Sequence, residues 1–182
     1  VHDHVHWVFN REAQDIQGVG IVETNQVAID KYKTRYGLAD SLFFDSYDAL
    51  MSHVKPEAVS AFNETNEHLE VVEYFAPRGI PIMVEKPMAT KYDDAKRMVE
   101  LSRQYEVPLL VNYETSWYKS TYETGRMVNT GVLGDLTKLV FNTGHMGPKE
   151  IGCSPEFLEW LTDPVLNGGG ALMDFGCYGA NL

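Results

Sequence analysis

Ile80-Pro81-Ile82-Met83-Val84-Glu85-Lys86-Pro87 is the stretch on which the fold turns. Its first five residues form an apolar run of strand length, and the charged pair and rigid proline that follow mark the end of a buried strand. In an open α/β sheet the carboxyl ends of strands are where ligands bind. A lysine there, beside Glu85 and held by a proline of fixed φ, can assist proton transfer at a substrate oxygen. Taken alone, the tripeptide also fits a surface turn with an ordinary ion pair, so the rest of the chain has to choose.

Outward from this stretch, the first 113 residues alternate short β-branched runs with longer helical patterns, as βαβ units of a parallel sheet do. Upstream, residues 19–23 read as a strand, followed by a helix from Gln26 to Tyr36 that Gly37 stops. Residues 46–53 read as a short helix, Pro56-Glu57-Ala58-Val59-Ser60-Ala61-Phe62 as the approach to and body of the next strand, and residues 66–76 as a helix closed by Arg78-Gly79. Downstream, residues 90–105 have a cap-like start and an amphipathic period, and Pro108-Leu109-Leu110-Val111-Asn112-Tyr113 is another strand. The order predicts an α/β protein with a doubly wound parallel sheet.

The opening departs from such a sheet. Val1-His2-Asp3-His4-Val5-His6-Trp7 leads straight into a helical pattern with no sustained apolar run before it, so a first strand and its turn are expected to be missing. The dinucleotide fingerprint Gly-x-Gly-x-x-Gly occurs nowhere in the chain. Gly18-Val19-Gly20 has half its spacing but precedes a strand, which rules it out as a phosphate loop. Glu23 ends a strand where an acid can bind ribose hydroxyls and repel a 2′-phosphate, which favours NAD over NADP; a solvated carboxylate is the plainer alternative. His2, His4 and His6 would share a face only on a strand, since on a helix they point roughly 200° apart at each step. No metal site is expected from them.

The chain has 182 residues with a net charge of −11, enough for one domain or for one and part of another, and too acidic for a phosphate-backbone or anionic-membrane partner. Cys153 and Cys177 stand alone, giving neither a disulfide framework nor a Cys-x-x-Cys metal site. No apolar run of bilayer length occurs. After Tyr113 the composition turns aromatic and polar, so a first domain over 1–116 and the start of a second over 117–182 are expected. In the second, residues 120–129 read as a helix, residues 136–143 as a strand, and Pro155-Glu156-Phe157-Leu158-Glu159-Trp160-Leu161 as a short helix whose aromatics are core. Asn167-Gly168-Gly169-Gly170 then leads into a helical pattern that carries Asp174 and Tyr178, four apart and so on one face. A carboxylate can orient a hydroxyl there while a phenol relays its proton, provided a nearby lysine lowers the phenol's pKa; a capped helix with a partly buried tyrosine is the alternative.

Together, Glu85-Lys86-Pro87, the downstream Gly168-Gly169-Gly170-x-x-x-Asp174-x-Gly176-x-Tyr178, and Asn66-Glu67-His68 at a helix start resemble the glucose-fructose oxidoreductase, inositol dehydrogenase and rhizopine-catabolism (Gfo/Idh/MocA) family. The likeness runs along essentially the whole chain. It implies a Rossmann-like domain followed by the start of an α+β domain with a mostly antiparallel sheet, and oxidation or reduction of sugars, cyclitols or related diols with NAD, or less readily NADP. It implies that Lys86 contacts nicotinamide ribose and substrate, that Asp174 holds the reacting hydroxyl, and that Tyr178 is the acid/base where many members have histidine. Glu23 matches the ribose-binding acid, and Asn63, Thr65, Asn66, His68 and Glu85 match the cofactor-side loops, although Asn63-Glu64 replaces the usual Thr-Pro. Tyr113, Trp117 and His145 lie where substrate-facing residues are expected. The resemblance further implies a homo-oligomer, dimer or tetramer, of which this chain is an internal piece; a cytoplasmic location is the expectation, with an export signal upstream of Val1 as the open alternative. Two other readings stay open: glycoside cleavage through transient oxidation by a retained NAD, and a non-catalytic nucleotide-binding protein of the same fold.

Overall fold

The computed structural model describes residues 15–142, 144 and 146–181. Among them, short strands alternate with helices up to residue 112: β1 (Ile21–Val22), α1 (Gln26–Tyr36), β2 (Phe43–Phe44), α2 (Tyr47–His53), β3 (Val59–Ala61), α3 (His68–Phe75), β4 (Ile82–Glu85), α4 (Tyr92–Gln104) and β5 (Leu109–Asn112). Every ladder is parallel. Ile21 pairs with Phe43 in one sheet, and Val84 lies between Ala61 and Val111 in the other, whose order is β3-β4-β5. No ladder joins the two sheets among the described residues. In the doubly wound order one further strand separates the strands that β1 and β3 correspond to, and the break falls at that place. Strand β2 was not visible in the sequence, because two residues are too few to show a period.

Local chemistry accounts for most boundaries. Asn25 caps α1 by accepting from the amides of Val27 and Ala28, and Gly37 ends it at φ 63°, a left-handed conformation costly for other residues. Ser46 caps α2 through the Ala49 amide. The cap expected at Thr90 is not made: α4 begins after Lys91 without a side-chain cap, and Asp93 and Asp94 in its first turn complement the helix dipole instead. Gly20 serves packing, since a Cβ there would overlap Leu50 and Phe44.

The core sits between β3-β4-β5 and the helices laid on them. Val71, Val72 and Phe75 of α3, Met98 and Leu101 of α4, and Ile82 and Val84 of β4 are all buried. Sealing these side chains positions the carboxyl ends of β3, β4 and β5 side by side.

Beyond β5 a turn over Glu114–Trp117 leads to α5 (Lys119–Asn129), α6 (Pro155–Leu161), α7 (Gly170–Asp174) and α8 (Gly176–Asn181). Helices α5 and α6 stand where the sequence places them, and Ser154 caps α6 through the Phe157 amide. The strand expected at 136–143 does not form in its described residues 136–142, which are exposed and pair with no other strand. An extended segment without a neighbour has no ladder to complete. The antiparallel sheet expected of the second part is accordingly not seen among the described residues. The single helical run expected through Asp174 and Tyr178 is also broken: Phe175, at φ −115°, separates α7 from α8. No described helix is long and apolar enough to cross a membrane.

Candidate active site

The carboxyl ends of β3 and β4, with Glu114 just past β5, border a cavity of about 280 Å³. Phe62, Asn63, Glu85 and Lys86 line it from the strand side; Asp174, Phe175 and Tyr178 close it from α7 and α8. A third wall is apolar, built from Phe157, Trp160 and Leu161 of α6 with Pro148 and Ile151. The rings of Phe157 and Trp160 meet edge to face with centroids 5.0 Å apart.

Lys86 and Asp174 form the centre. The Lys86 ammonium donates to a carboxylate oxygen of Asp174 and also to the Asp174 backbone carbonyl at 2.9 Å, across 88 residues of sequence. Both side chains are largely buried, 11% and 14% exposed, so each charge depends on the other. The same Nζ lies 5.3 Å from the centroid of the Tyr178 ring and 5.7 Å from that of Phe175. Tyr178 is buried and packs edge-on against Tyr113, centroids 6.1 Å apart.

The expectation that lysine lowers the Tyr178 pKa is reversed. Burial holds the phenol above its ordinary range, and the carboxylates of Glu114 and Glu85, then Cys177 and Asp174, push it the same way. Asp174 matches the charge of Lys86 at close range, so the ammonium does not offset them. The phenol is held in its neutral form, with an O–H that can donate a hydrogen bond. Burial likewise raises Tyr113 and Cys177, whose thiol donates to the Asp174 carbonyl at 3.5 Å.

Glu85 is 7% exposed and accepts from Asn112 Nδ2 at 2.6 Å, while Asn112 Oδ1 accepts from the Trp117 indole at 3.2 Å. Trp117 is thus 70% exposed, outside the cavity lining, and connected to Glu85 through Asn112. Of the other cofactor-side residues, Asn63, Thr65 and His68 line the cavity; Asn63 Nδ2 donates to Glu67 at 3.1 Å. His68 is fully buried, and its Nδ1 bonds the Met88 carbonyl at 3.1 Å. Burial pushes its pKa down, partly offset by the carbonyls of Met88, Asn63 and Pro87. Thr65 is 2% exposed and spends its hydroxyl on Asn167 Oδ1 at 2.7 Å. Asn66 is exposed, and its backbone amide donates to Leu166 at 3.1 Å. Glu23 follows β1 at a distance from this cavity, one oxygen accepting from the Asn25 amide at 2.8 Å. His145, like His2, His4 and His6, lies outside the described residues. No group of three metal-ligating side chains occurs among those described.

Sequence reasoning missed Asn112, Glu114 and Asn167, and it assigned Phe157 and Trp160 to core. The available signals were slight: an asparagine ending an apolar strand, and another opening a glycine run.

Two buried acceptors test whether the cavity suits a polar ligand. With Nδ1 of His68 donating to Met88, its Nε2 is an acceptor; neither this atom nor Asn63 Oδ1 has a hydrogen-bond partner. A ligand carrying hydroxyl or carboxamide donors would satisfy both.

Residues 2–113 match the model of an oxidoreductase family with an NAD-binding Rossmann fold, GFO_IDH_MocA. A D-xylose 1-dehydrogenase [NADP(+)] of Haloarcula marismortui is 30% identical over 142 residues, 78% of this chain and 36% of that protein. A D-glucoside 3-dehydrogenase of Escherichia coli is 25% identical over 180 residues, 98% of this chain and 48% of that protein. In structure, the aldose-aldose oxidoreductase of Caulobacter crescentus, solved with glycerol, superposes with a TM-score of 0.73 at 24% identity, over 96% of this chain and 50% of that one. The chain thus spans less than half the length of these two curated relatives.

Proposed function

Because the chain belongs to the Gfo/Idh/MocA oxidoreductase family, which has an NAD-binding Rossmann fold, we propose that it forms the cofactor- and proton-handling part of an enzyme that oxidises or reduces a sugar, cyclitol or related diol. The observation that carries this reading is the Lys86–Asp174 pair at the carboxyl end of β4, with the protonated Tyr178 phenol beside it. Asn63, His68, Glu85 and Lys86 would hold the nicotinamide end of the dinucleotide, and Glu23 the adenosine ribose. When bound, the dinucleotide supplies the hydride acceptor or donor.

The remaining work falls to side chains of this chain. Lys86 stabilises negative charge developing on the substrate oxygen, and Asp174 fixes the ammonium and orients the hydroxyl. Tyr178, held as a phenol, donates a proton to that oxygen when a carbonyl is reduced. The apolar wall of Phe157 and Trp160 suits the C–H face of a sugar ring, whose hydroxyls then point to the charged wall. A strand-end carboxylate at Glu23 supports NAD over NADP, since it would repel a 2′-phosphate. The exposed Leu136, Leu139 and Val140 support self-association as a dimer or tetramer. The change of character after Tyr113 supports a domain boundary at 116–117.

The test is Lys86→Ala, assayed against a panel of aldoses, glycosides and inositols with each nucleotide. Turnover is expected to fall by about 10²–10⁴-fold, the range of a general acid–base group. Nucleotide affinity, followed by tryptophan fluorescence, should stay within a few fold. Unchanged turnover in the variant would remove Lys86 from the chemistry, and a native chain that binds neither nucleotide would end the proposal.

A further inference from the structure

The polar contact that ties the strand-end loops to the site's second wall lies outside the proton-handling set. Asn167 is 1% exposed, and its amide is satisfied on both sides: Oδ1 accepts from the Thr65 hydroxyl at 2.7 Å, and Nδ2 donates to the Leu161 carbonyl at 3.0 Å. The neighbouring backbone repeats the link, with the Asn66 amide on the Leu166 carbonyl at 3.1 Å. Thr65 belongs to the loop after β3, so these bonds span about a hundred residues and fasten that loop to the segment entering α7. One residue on, Gly168 sits at φ 88°, where a Cβ would come within 3.3 Å of the Thr90 Cα and the Met173 side chain. Two residues further α7 begins, and it ends at Asp174.

We propose that Asn167 is a positioning residue: through Thr65 it couples the loop after β3 to the glycine-led helix that aims Asp174 at Lys86. Occupancy of the loop therefore stiffens the ion pair without touching it. The segment has little latitude to respond otherwise. Asp163 Oδ1 accepts from the amides of Val165 and Leu166, at 2.7 and 3.1 Å, and the Gly168 amide donates to Pro164 at 3.1 Å, so residues 163–168 move as one turn. The coupling rests on the reading of that loop as the dinucleotide's and of Lys86–Asp174 as the proton-handling pair.

Hydrogen exchange of the intact chain, with and without saturating NAD⁺ or NADP⁺, tests it in Thr65→Val and Thr65→Ser. In the native chain nucleotide should slow exchange at 63–68 and at 170–174 together. Thr65→Val keeps the shape of the side chain but removes the hydroxyl, leaving Asn167 Oδ1 buried and unpaired. It should retain slowing at 63–68, lose it at 170–174, and raise the basal exchange of 170–174 about tenfold. Thr65→Ser should restore both, and turnover should follow, with kcat reduced only in the valine variant. Native-like behaviour of 170–174 in Thr65→Val, or failure of serine to rescue, overturns the inference. If nucleotide slows nothing in the native chain, the dinucleotide reading fails, and the basal exchange of valine against serine still decides the mechanical link. Should Thr65→Val not fold, Thr65→Ala removes the same hydroxyl and is read in the same way, with serine as the rescue.

Discussion

The chain up to residue 113 and the stretch from 119 onward bury different kinds of residue. In the first, most buried residues form one apolar core, from Leu50 and Ala61 through Val72, Phe75, Val84, Met98 and Leu101, and the buried polar Thr65, His68 and Glu85 sit at its cavity end. In the second, the buried residues among those described are Leu161, Asn167 and Tyr178, and each lines the cavity. One region is organised by its own interior. The other is organised by what it presents to its neighbour: Asp174 to Lys86, Asn167 to Thr65, Asn181 to Ser116. The apolar core thus lies in the first region alone, whereas the cavity draws on both, with Lys86, Glu85 and His68 from one and Asp174 and Tyr178 from the other, so a substitution should affect stability or chemistry according to which set it touches.

That separation can be broken in several ways. The largest expected effect is chemical: Tyr178→Phe should cut turnover by about 10²–10⁴-fold in initial-rate assays, the range of a general acid. Its urea midpoint should hardly move, and a large fall in the midpoint would show that the tyrosine supports the fold as well. Next, Met98→Ala in the first region should cost roughly 2–5 kcal/mol in chemical denaturation, as large-to-small core changes do. Leu161→Ala should cost distinctly less, since it borders the cavity; equal losses would erase the distinction between the regions. His68 belongs to both, and its pH dependence sharpens the comparison. Its folded-state pKa lies below the unfolded value, so below about 6.5 the unfolded chain takes up a proton that the folded one refuses. Stability should therefore fall as pH drops through that window, and His68→Gln should flatten the fall when thermal unfolding is followed from neutral to acidic pH. The smallest effect belongs to Arg126→Ala, whose partner Glu123 lies one turn away on the exposed face of α5. No resolvable change in Tm is expected there.

How much could be read in the sequence divides along the same line. The βαβ alternation, the glycine stop at Gly37 and the strand end at Glu85 were legible, because apolar period and local turn chemistry are properties of the chain itself. Phe43–Phe44 was not, since its strand exists only through pairing with Ile21–Val22. In the site, Lys86, Asp174 and Tyr178 were identified by type and order, and the structure brings all three together. The sign of the Tyr178 shift was missed because it depends on burial first and on the nearby Glu114 and Glu85 carboxylates second, matters of folding rather than spacing. Asn167 was passed over for a related reason: only folding places Thr65 opposite it. Expecting a strand at 136–143 erred the other way, by treating apolar alternation as sufficient when a ladder also needs a neighbour.

The interruption at Phe175 has a consequence for how such a site can change. Were Asp174 and Tyr178 on one unbroken helix, their spacing would be locked to the helical repeat, and any adjustment of one would drag the other. The break gives each its own axis. In the proposed mechanism the side chain at position 178 can then be exchanged while the carboxylate keeps its grip on Lys86. The proposed proton donor is a separable part of the site.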